Sequence, residues 1–244
     1  MQLHMEGYLE LSRLCKVNGL ELQRGSLDLL RQYVDLLLSW NSKINLISRR
    51  DEENIWIRHI LHSMSLLFHV ELQESARVLD LGTGGGLPGI PLAIMRPDLH
   101  VTLLDSIRKK TGALENIVSA LHLKNAEVIC GRAGELRLDR MKDVGYDVVI
   151  ARAVANVREL IRWSSMLTRK TVHSARAVPS PRTSQGRLMP KMPFLVAMKG
   201  GAVEEEISSA RTKFPGMTTS LVNLSVKGLH DQELIEKKIV VVEL

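Results

Sequence analysis

Cysteine is scarce in this chain: Cys15 and Cys130 are the only two among 244 residues, and they form no Cys-x-x-Cys pair. Neither a disulfide framework nor a cysteine zinc cage can be built from them, which points to a reduced compartment. Aromatic residues make up 4% of the chain, too few to signal a stacking platform for single-stranded bases. Long apolar runs are missing as well. No stretch of about 18 apolar residues could span a bilayer, and the amino end lacks the charged start, apolar region and small-residue cleavage site of a secretory signal. The expectation is a soluble cytoplasmic protein without a membrane partner.

Acidic residues are in mild deficit. There are 27 Asp and Glu against 33 Lys and Arg, a formal net charge of +6. That balance suits an anionic partner such as nucleic acid, and equally a merely solvated basic surface. Hydrophobic residues at 45% and charged residues at 25% are ordinary for a globular protein. The length allows one large domain, or one with a smaller accessory.

What is present falls into two rhythms. Residues 1–72 read as a helical N-terminal extension. There "SLDLLRQYVDLLLSW" sets Leu29, Leu30, Tyr33, Val34, Leu37 and Trp40 at helical spacing, with Ser26 expected to cap the start. After the break "NSKINLIS", a second amphipathic segment is expected in "NIWIRHILHSMSLLFHV". These apolar stripes read as core. Residues 73–244 alternate instead. "RVLDLG", "HVTLLD", "AEVIC" and "YDVVIAR" are strand-length apolar runs separated by helical patterns, with "FLVAMKG" and two final strands closing the series. Near-continuous apolar strands between helices imply an α/β fold with a mostly parallel sheet covered on both faces. Segment 169–193 breaks this rhythm with six basic residues, four prolines and no acid. It predicts a mobile surface loop, with an RNA-contacting arm as the sharper alternative.

The stretch "RVLDLGTGGGLPGIP" spends five glycines just where a strand ends and a helix begins. Such a turn lets backbone amides approach a nucleotide or phosphate. Its spacing is ambiguous. Gly84, Gly86 and Gly89 match the dinucleotide pattern Gly-x-Gly-x-x-Gly, whereas Gly82, Gly84 and Gly86 match the Gly-x-Gly-x-Gly of S-adenosylmethionine enzymes. Asp80, at the strand end, can pair with the amino group of a methionine moiety and would repel a pyrophosphate. Asp105, ending the next strand, can accept both ribose hydroxyls of an adenosine, in NAD as in S-adenosylmethionine. Three readings stay open on these residues: a methyltransferase, an NAD-dependent oxidoreductase, and a non-catalytic RNA-binding protein that keeps a cofactor fold. The bland alternative is a pair of strand-end aspartates capping the helices that follow.

In order along the chain, "WNSKINLIS", "IRHILHS", "RVLDLGTGGGLPGIPLAIMRPDLHVTLLDS", "GRAGEL", "ARAVANVRELIRW" and "LVAMKGG" resemble the bacterial small-subunit (16S) ribosomal RNA guanine-N7 methyltransferases, the glucose-inhibited division protein B family. The resemblance implies a class I S-adenosylmethionine-dependent methyltransferase, Rossmann-like, with a helical N-terminal extension. It implies S-adenosylmethionine as cofactor with S-adenosylhomocysteine as product, no metal, small-subunit rRNA or the small ribosomal subunit as partner, and a monomer. By position, Gly82, Gly84 and Leu87 would line the methionine side, Asp105 would take the ribose, and Ala133 and Gly134 would lie along the adenine. Arg152 would sit between cofactor and base as the catalytic residue, and Asn45, Arg58 and His59 would face the substrate. Three positions depart from the family. It usually carries glutamate where Gly134 stands, often serine at Ala151, and usually aspartate at His62. The basic segment replaces a short turn.

The chemistry agrees with that resemblance. Guanine N7 carries an in-plane lone pair and no proton, so methylating it needs orientation more than a general base. The chain has no Asn-Pro-Pro-Tyr motif for an exocyclic amine and no Pro-Cys nucleophile for a pyrimidine carbon. Cys130, in an apolar strand, is expected to be a buried inert thiol. Arg152 can donate to a phosphate or to guanine O6 while leaving N7 free; the structural alternative pairs it with Asp80 or Glu159. His59 and His62 have helical i, i+3 spacing but no third ligand in view, so no metal is expected.

Overall fold

The computed structural model describes residues 2–136, 145–169, 180–229, 234 and 236–244, with side chains from residue 7 onward. Its centre is a seven-stranded sheet of β1 (Arg77–Leu81), β2 (His100–Asp105), β3 (Ala126–Cys130), β4 (Val148–Arg152), β5 (Phe194–Gly200), β6 (Thr219–Asn223) and β7 (Lys237–Glu243). The spatial order is β3-β2-β1-β4-β5-β7-β6. The first five strands run parallel, and β7 lies antiparallel between β5 and β6. Helices α5 (Gly89–Met95), α6 (Arg108–Ala120), α7 (Val157–Leu167) and α8 (Glu204–Lys213) connect the strands.

Every apolar run expected to be a strand is one. The order reverses between β1 and β4: the chain steps outward through β2 and β3, then returns to add β4 on the opposite side of β1. In an open parallel sheet this switch leaves a crevice at the carboxyl ends of the two central strands. The glycine-rich turn follows β1 there, and Arg152 ends β4.

Alternation sorts side chains onto two faces. Leu79, Leu81, Val149 and Ala151 join the buried cluster with Leu160 and Ile161 of α7 and Ile207 of α8. Val78, Val148 and Ile150 join the other cluster, which holds α5, α6 and the buried residues of the extension. By the same alternation, Asp80 and Arg152 point toward the extension.

The extension begins with α1 (Gln2–Val17) and α2 (Ser26–Asn41). Leu11, Leu14, Leu30, Tyr33 and Leu37 are wholly buried, as the apolar stripe of α2 predicts. The expected cap at Ser26 is corrected: Gly25, at φ 84°, is the N-cap, no side chain caps the start, and Ser26 is a buried residue of the first turn. A positive φ there suits glycine, and it turns the serine inward. The second segment also differs from a regular helix. It is a π-helix at Trp56–Leu61, followed by short turns α3 (His62–Met64) and α4 (Leu66–His69). Apolar periodicity over so short a run does not separate these hydrogen-bond patterns, and π-turns concentrate at functional sites.

Two further expectations are revised. Cys130 is exposed, because β3 is an edge strand and its carboxyl end is uncovered. Within segment 169–193, residues 170–179 lie outside the described residues, but residues 180–193 are anchored and so do not fit a mobile loop. Leu188 is 3% exposed, bridges in parallel to Val70, and donates its N–H to the His69 carbonyl at 2.7 Å. Arg187 donates to the Gly19 carbonyl at 2.9 Å and pairs with Glu71 at 3.4 Å.

Candidate active site

The glycine turn is held from below and from the side. Asp80 is fully buried; its Oδ2 accepts from Thr83 Oγ1 at 2.6 Å and from the Gly89 amide at 2.8 Å. It therefore ties the turn to the start of α5. A Cβ on Gly89 would lie 2.7 Å from that oxygen and 2.3 Å from Leu103 Cδ2, so a side chain at 89 would break the clamp. Asp80 thus lies beneath the turn, away from the open wall of the crevice. Its Oδ1 is buried with no partner, and burial raises its carboxyl pKa to about 6. From the extension, the Tyr33 hydroxyl donates to the Gly85 carbonyl at 2.8 Å. A Cβ on Gly85 would meet Leu37 Cδ1 at 3.0 Å.

A cleft of about 750 Å³ opens at the carboxyl ends of β1 to β4. Four of the residues expected to bind cofactor line it: Gly82, Asp105, Ala133 and Gly134. Gly82 has φ 73°, and a Cβ there would fall 2.6 Å from Val154 Cγ2. Asp105 Oδ2 accepts from the Gly84 amide at 3.0 Å and Oδ1 from the Ile107 amide at 2.9 Å. One carboxylate therefore organises both the glycine turn and the entry to α6. Gly84 supports the cleft through this bond without lining it. Leu87 does not line the cleft with its side chain either: that side chain is 4% exposed and lies in the core on the extension side, because the turn folds it under as α5 begins.

Three of the remaining expected residues, Arg152, His59 and Arg58, form a second cluster on the extension side. Arg152 Nη2 lies 3.0 Å from His59 Nδ1. An arginine offers only donors, so His59 Nδ1 accepts and the proton sits on Nε2, which faces Asp51 Oδ2 at 3.5 Å. Arg58 pairs with Asp51 Oδ1 at 2.9 Å. Burial, and then the positive charge of Arg152, lower the His59 pKa to about 4, so the ring is neutral near pH 7. The structural alternative for Arg152 is only partly met: Glu159 pairs with Arg162 instead, while the carboxylates of Asp80 and Asp51 act through space on the part-buried guanidinium. Asn45 is exposed on the loop after α2, in a shallow groove with Ser48 and Arg49. His62, in place of the family's aspartate, is 7% exposed with an unpartnered Nε2, and its pKa falls to about 3 through burial. Among the described residues, no group of three His, Cys, Asp or Glu could hold a metal ion.

Sequence reasoning misses four contributors. Tyr33 reads only as core. Asn41 escapes notice, although it is a polar residue ending an apolar helix; its Oδ1 accepts from the Leu46 and Ile47 amides and shapes the loop carrying Asn45. Asp51 and Trp163 carry no local signal, since each acquires its partner only through the tertiary fold.

The site can be set beside known proteins. The model of a family described as rRNA small subunit methyltransferase G (GidB) matches residues 26–176. Ribosomal RNA small subunit methyltransferase G of Chlorobaculum tepidum is 35% identical over 95% of each chain. The protein of that name from Neisseria meningitidis is 42% identical over 61% of this chain and 69% of its own. Among solved structures, a point mutant of MtNAS in complex with S-adenosylmethionine superposes with a TM-score of 0.51 at 13% identity, covering 86% of this chain and 72% of that one. The fibrillarin/Nop5p complex gives 0.51 at 15%, covering 76% and 81%. These structural likenesses concern the fold, which is that of a class I S-adenosylmethionine-dependent methyltransferase.

Proposed function

The chain belongs to the rRNA small subunit methyltransferase G family, and from that membership we propose that it transfers a methyl group from S-adenosylmethionine to N7 of a guanine in small-subunit ribosomal RNA. The observation that carries this reading is the meeting of two unlike walls at one end of the sheet: a glycine turn after β1 and a part-buried arginine at the end of β4.

The residues at this end suit the cofactor. Gly82 leaves a cradle that a Cβ would close against Val154, and Asp80 holds the turn beneath it through Thr83 Oγ1 and the Gly89 amide. We place the methionine end against Gly82, on a turn held by Gly84 and Asp80, the ribose at Asp105, and the adenine along Ala133 and Gly134. When bound, the cofactor supplies a methyl group made electrophilic by a sulfonium.

The protein's own part is orientation. Arg152 can donate to guanine O6 or to a phosphate, holding the base with its N7 lone pair free. No side chain has to remove a proton, because N7 has none. His59 commits its acceptor nitrogen to Arg152, so we assign it as a positioning residue. Asn45 and Arg58 face the RNA in this reading, and the net charge of +6 supports a phosphate-bearing partner. We infer that a monomer acts on rRNA within, or on its way to, the small subunit. Among the described residues, no helix is long and apolar enough to cross a membrane.

The test is a methylation assay with labelled S-adenosylmethionine on small subunits from a strain lacking this modification, followed by reduction and aniline scission at modified guanines. One cleavage site is the expected result. Label at another atom or base would retain the methyltransferase and overturn the guanine-N7 assignment.

A further inference from the structure

Three large apolar groups border the 750 Å³ cleft and are left partly open among the described residues. Ile107 is 48% exposed and Val154 37% exposed, and the indole of Trp163 on α7 completes the wall between them. Most apolar side chains of this size on the neighbouring elements are buried, so their grouping around one opening points to an apolar ligand surface. Trp163 packs partly against the core cluster beside Ala133, which fixes the ring. Its Nε1 lies 3.2 Å, and its Cδ1 3.6 Å, from where a Cβ of residue 134 would stand. The indole therefore occupies the space that a side chain at 134 would enter, and Gly134 is what makes room for it.

We propose that Trp163 is the stacking wall for the purine of the bound nucleoside, and that Gly134 is paired with it as the residue whose missing side chain lets the indole reach the cleft. This deepens the cofactor reading above and rests on it. A flat, π-rich, weakly polar ring bordered by two aliphatic side chains suits a purine face, and recognition by stacking needs no further hydrogen-bond donor. The ribose position fits the same placement, because Asp105 and Ile107 line the cleft with Trp163.

Fluorescence tests the proposal directly, since the other two tryptophans lie elsewhere: Trp40 on α2 and Trp56 in the π-helix. Titration with S-adenosylhomocysteine should quench the wild-type emission, and the quench should vanish in Trp163→Phe, a variant that keeps a ring in the core. By calorimetry, Trp163→Ala should weaken S-adenosylhomocysteine and 5′-methylthioadenosine by the same factor, roughly tenfold or more. Gly134→Leu should weaken both while leaving the melting temperature of the ligand-free protein within a few degrees. Wild-type affinity in Trp163→Ala, or an unchanged quench in Trp163→Phe, would overturn the role of Trp163 and leave the cofactor site standing. Failure of the wild-type protein to bind S-adenosylhomocysteine at all would overturn both together.

Discussion

The two walls of the site are made of different materials. On the strand side, the surface is backbone: a turn with Gly82, Gly84 and Gly86 at positive φ, whose amides are organised by the carboxylates of Asp80 and Asp105. On the extension side, the surface is side chain: Arg152, His59, Arg58 and Asp51, linked from a π-helix to the end of β4. Backbone amides fixed by buried carboxylates have few ways to move, which suits a cofactor of constant shape. Long charged side chains can exchange partners, which suits an RNA that arrives and leaves. On the proposed assignment, binding the cofactor and orienting the base can be damaged separately, although Arg152 and Asp80 lie on the same face of adjacent strands.

The largest expected effect breaks the side-chain wall alone. Arg152→Ala should lower the methylation rate by about a thousandfold or more, the scale of losing a preorganised charged donor. Calorimetric affinity for S-adenosylhomocysteine should stay within about threefold. A variant that turned over at the wild-type rate would misplace the reacting base.

Breaking the backbone wall should give the reverse pattern. Gly82→Ala forces a side chain into the left-handed region and against Val154, where strain of about 1–2 kcal/mol adds to the clash. Cofactor affinity should fall roughly ten- to a hundredfold, with kcat at saturating cofactor changed far less. Equal losses in both constants would mean that the walls are not separable.

Tyr33→Phe probes the join between them. It leaves the Gly85 carbonyl without its buried donor, at a cost of about 1–3 kcal/mol in folding stability. The urea midpoint should fall, and the KM for S-adenosylmethionine should rise by severalfold. An unchanged KM would show that the extension supports the fold without supporting the turn.

The smallest effect at neutral pH concerns His62. Its pKa is about 3 in the folded protein and near 6.5 when unfolded. Between those values the unfolded chain binds more protons, so stability is lost as pH falls through 6.5 and is retained above it. From pH 7.5 to pH 5 the loss is about 2 kcal/mol. His62→Gln should remove it, so the gap between the urea midpoints of variant and wild type should shift toward the variant at pH 5. A gap independent of pH would mean that His62 protonates inside the fold at ordinary values.

The sheet is legible in the sequence because parallel strands covered on both faces must be apolar along their whole length, as "RVLDL" and "HVTLLD" are. Asp80 and Asp105 are legible as unusual acids ending such strands. Their partners are not, since Gly89 and Thr83 reach Asp80, and Gly84 reaches Asp105, only once the turn has closed. Ser26 misleads because serine is a good cap, yet Gly25 offers a left-handed turn that buries the serine instead. The π-helix is hidden because residues 56–69 keep apolar periodicity under either hydrogen-bond pattern. The apolar neighbourhood of Cys130 suggests burial, and nothing local reveals that β3 lies at the edge. Trp163 is invisible for a different reason. Its significance comes from an absence at residue 134, and sequence spacing cannot show which glycine a distant indole will face.

The carboxylate of Asp105 bears on how the enzyme cycles. Both of its oxygens already hold a backbone amide, and each oxygen keeps a second lone pair. A pair of hydroxyls can therefore join without displacing either amide or rotating the side chain. With the ribose placed here as proposed, cofactor exchange between turnovers requires no rearrangement at this position.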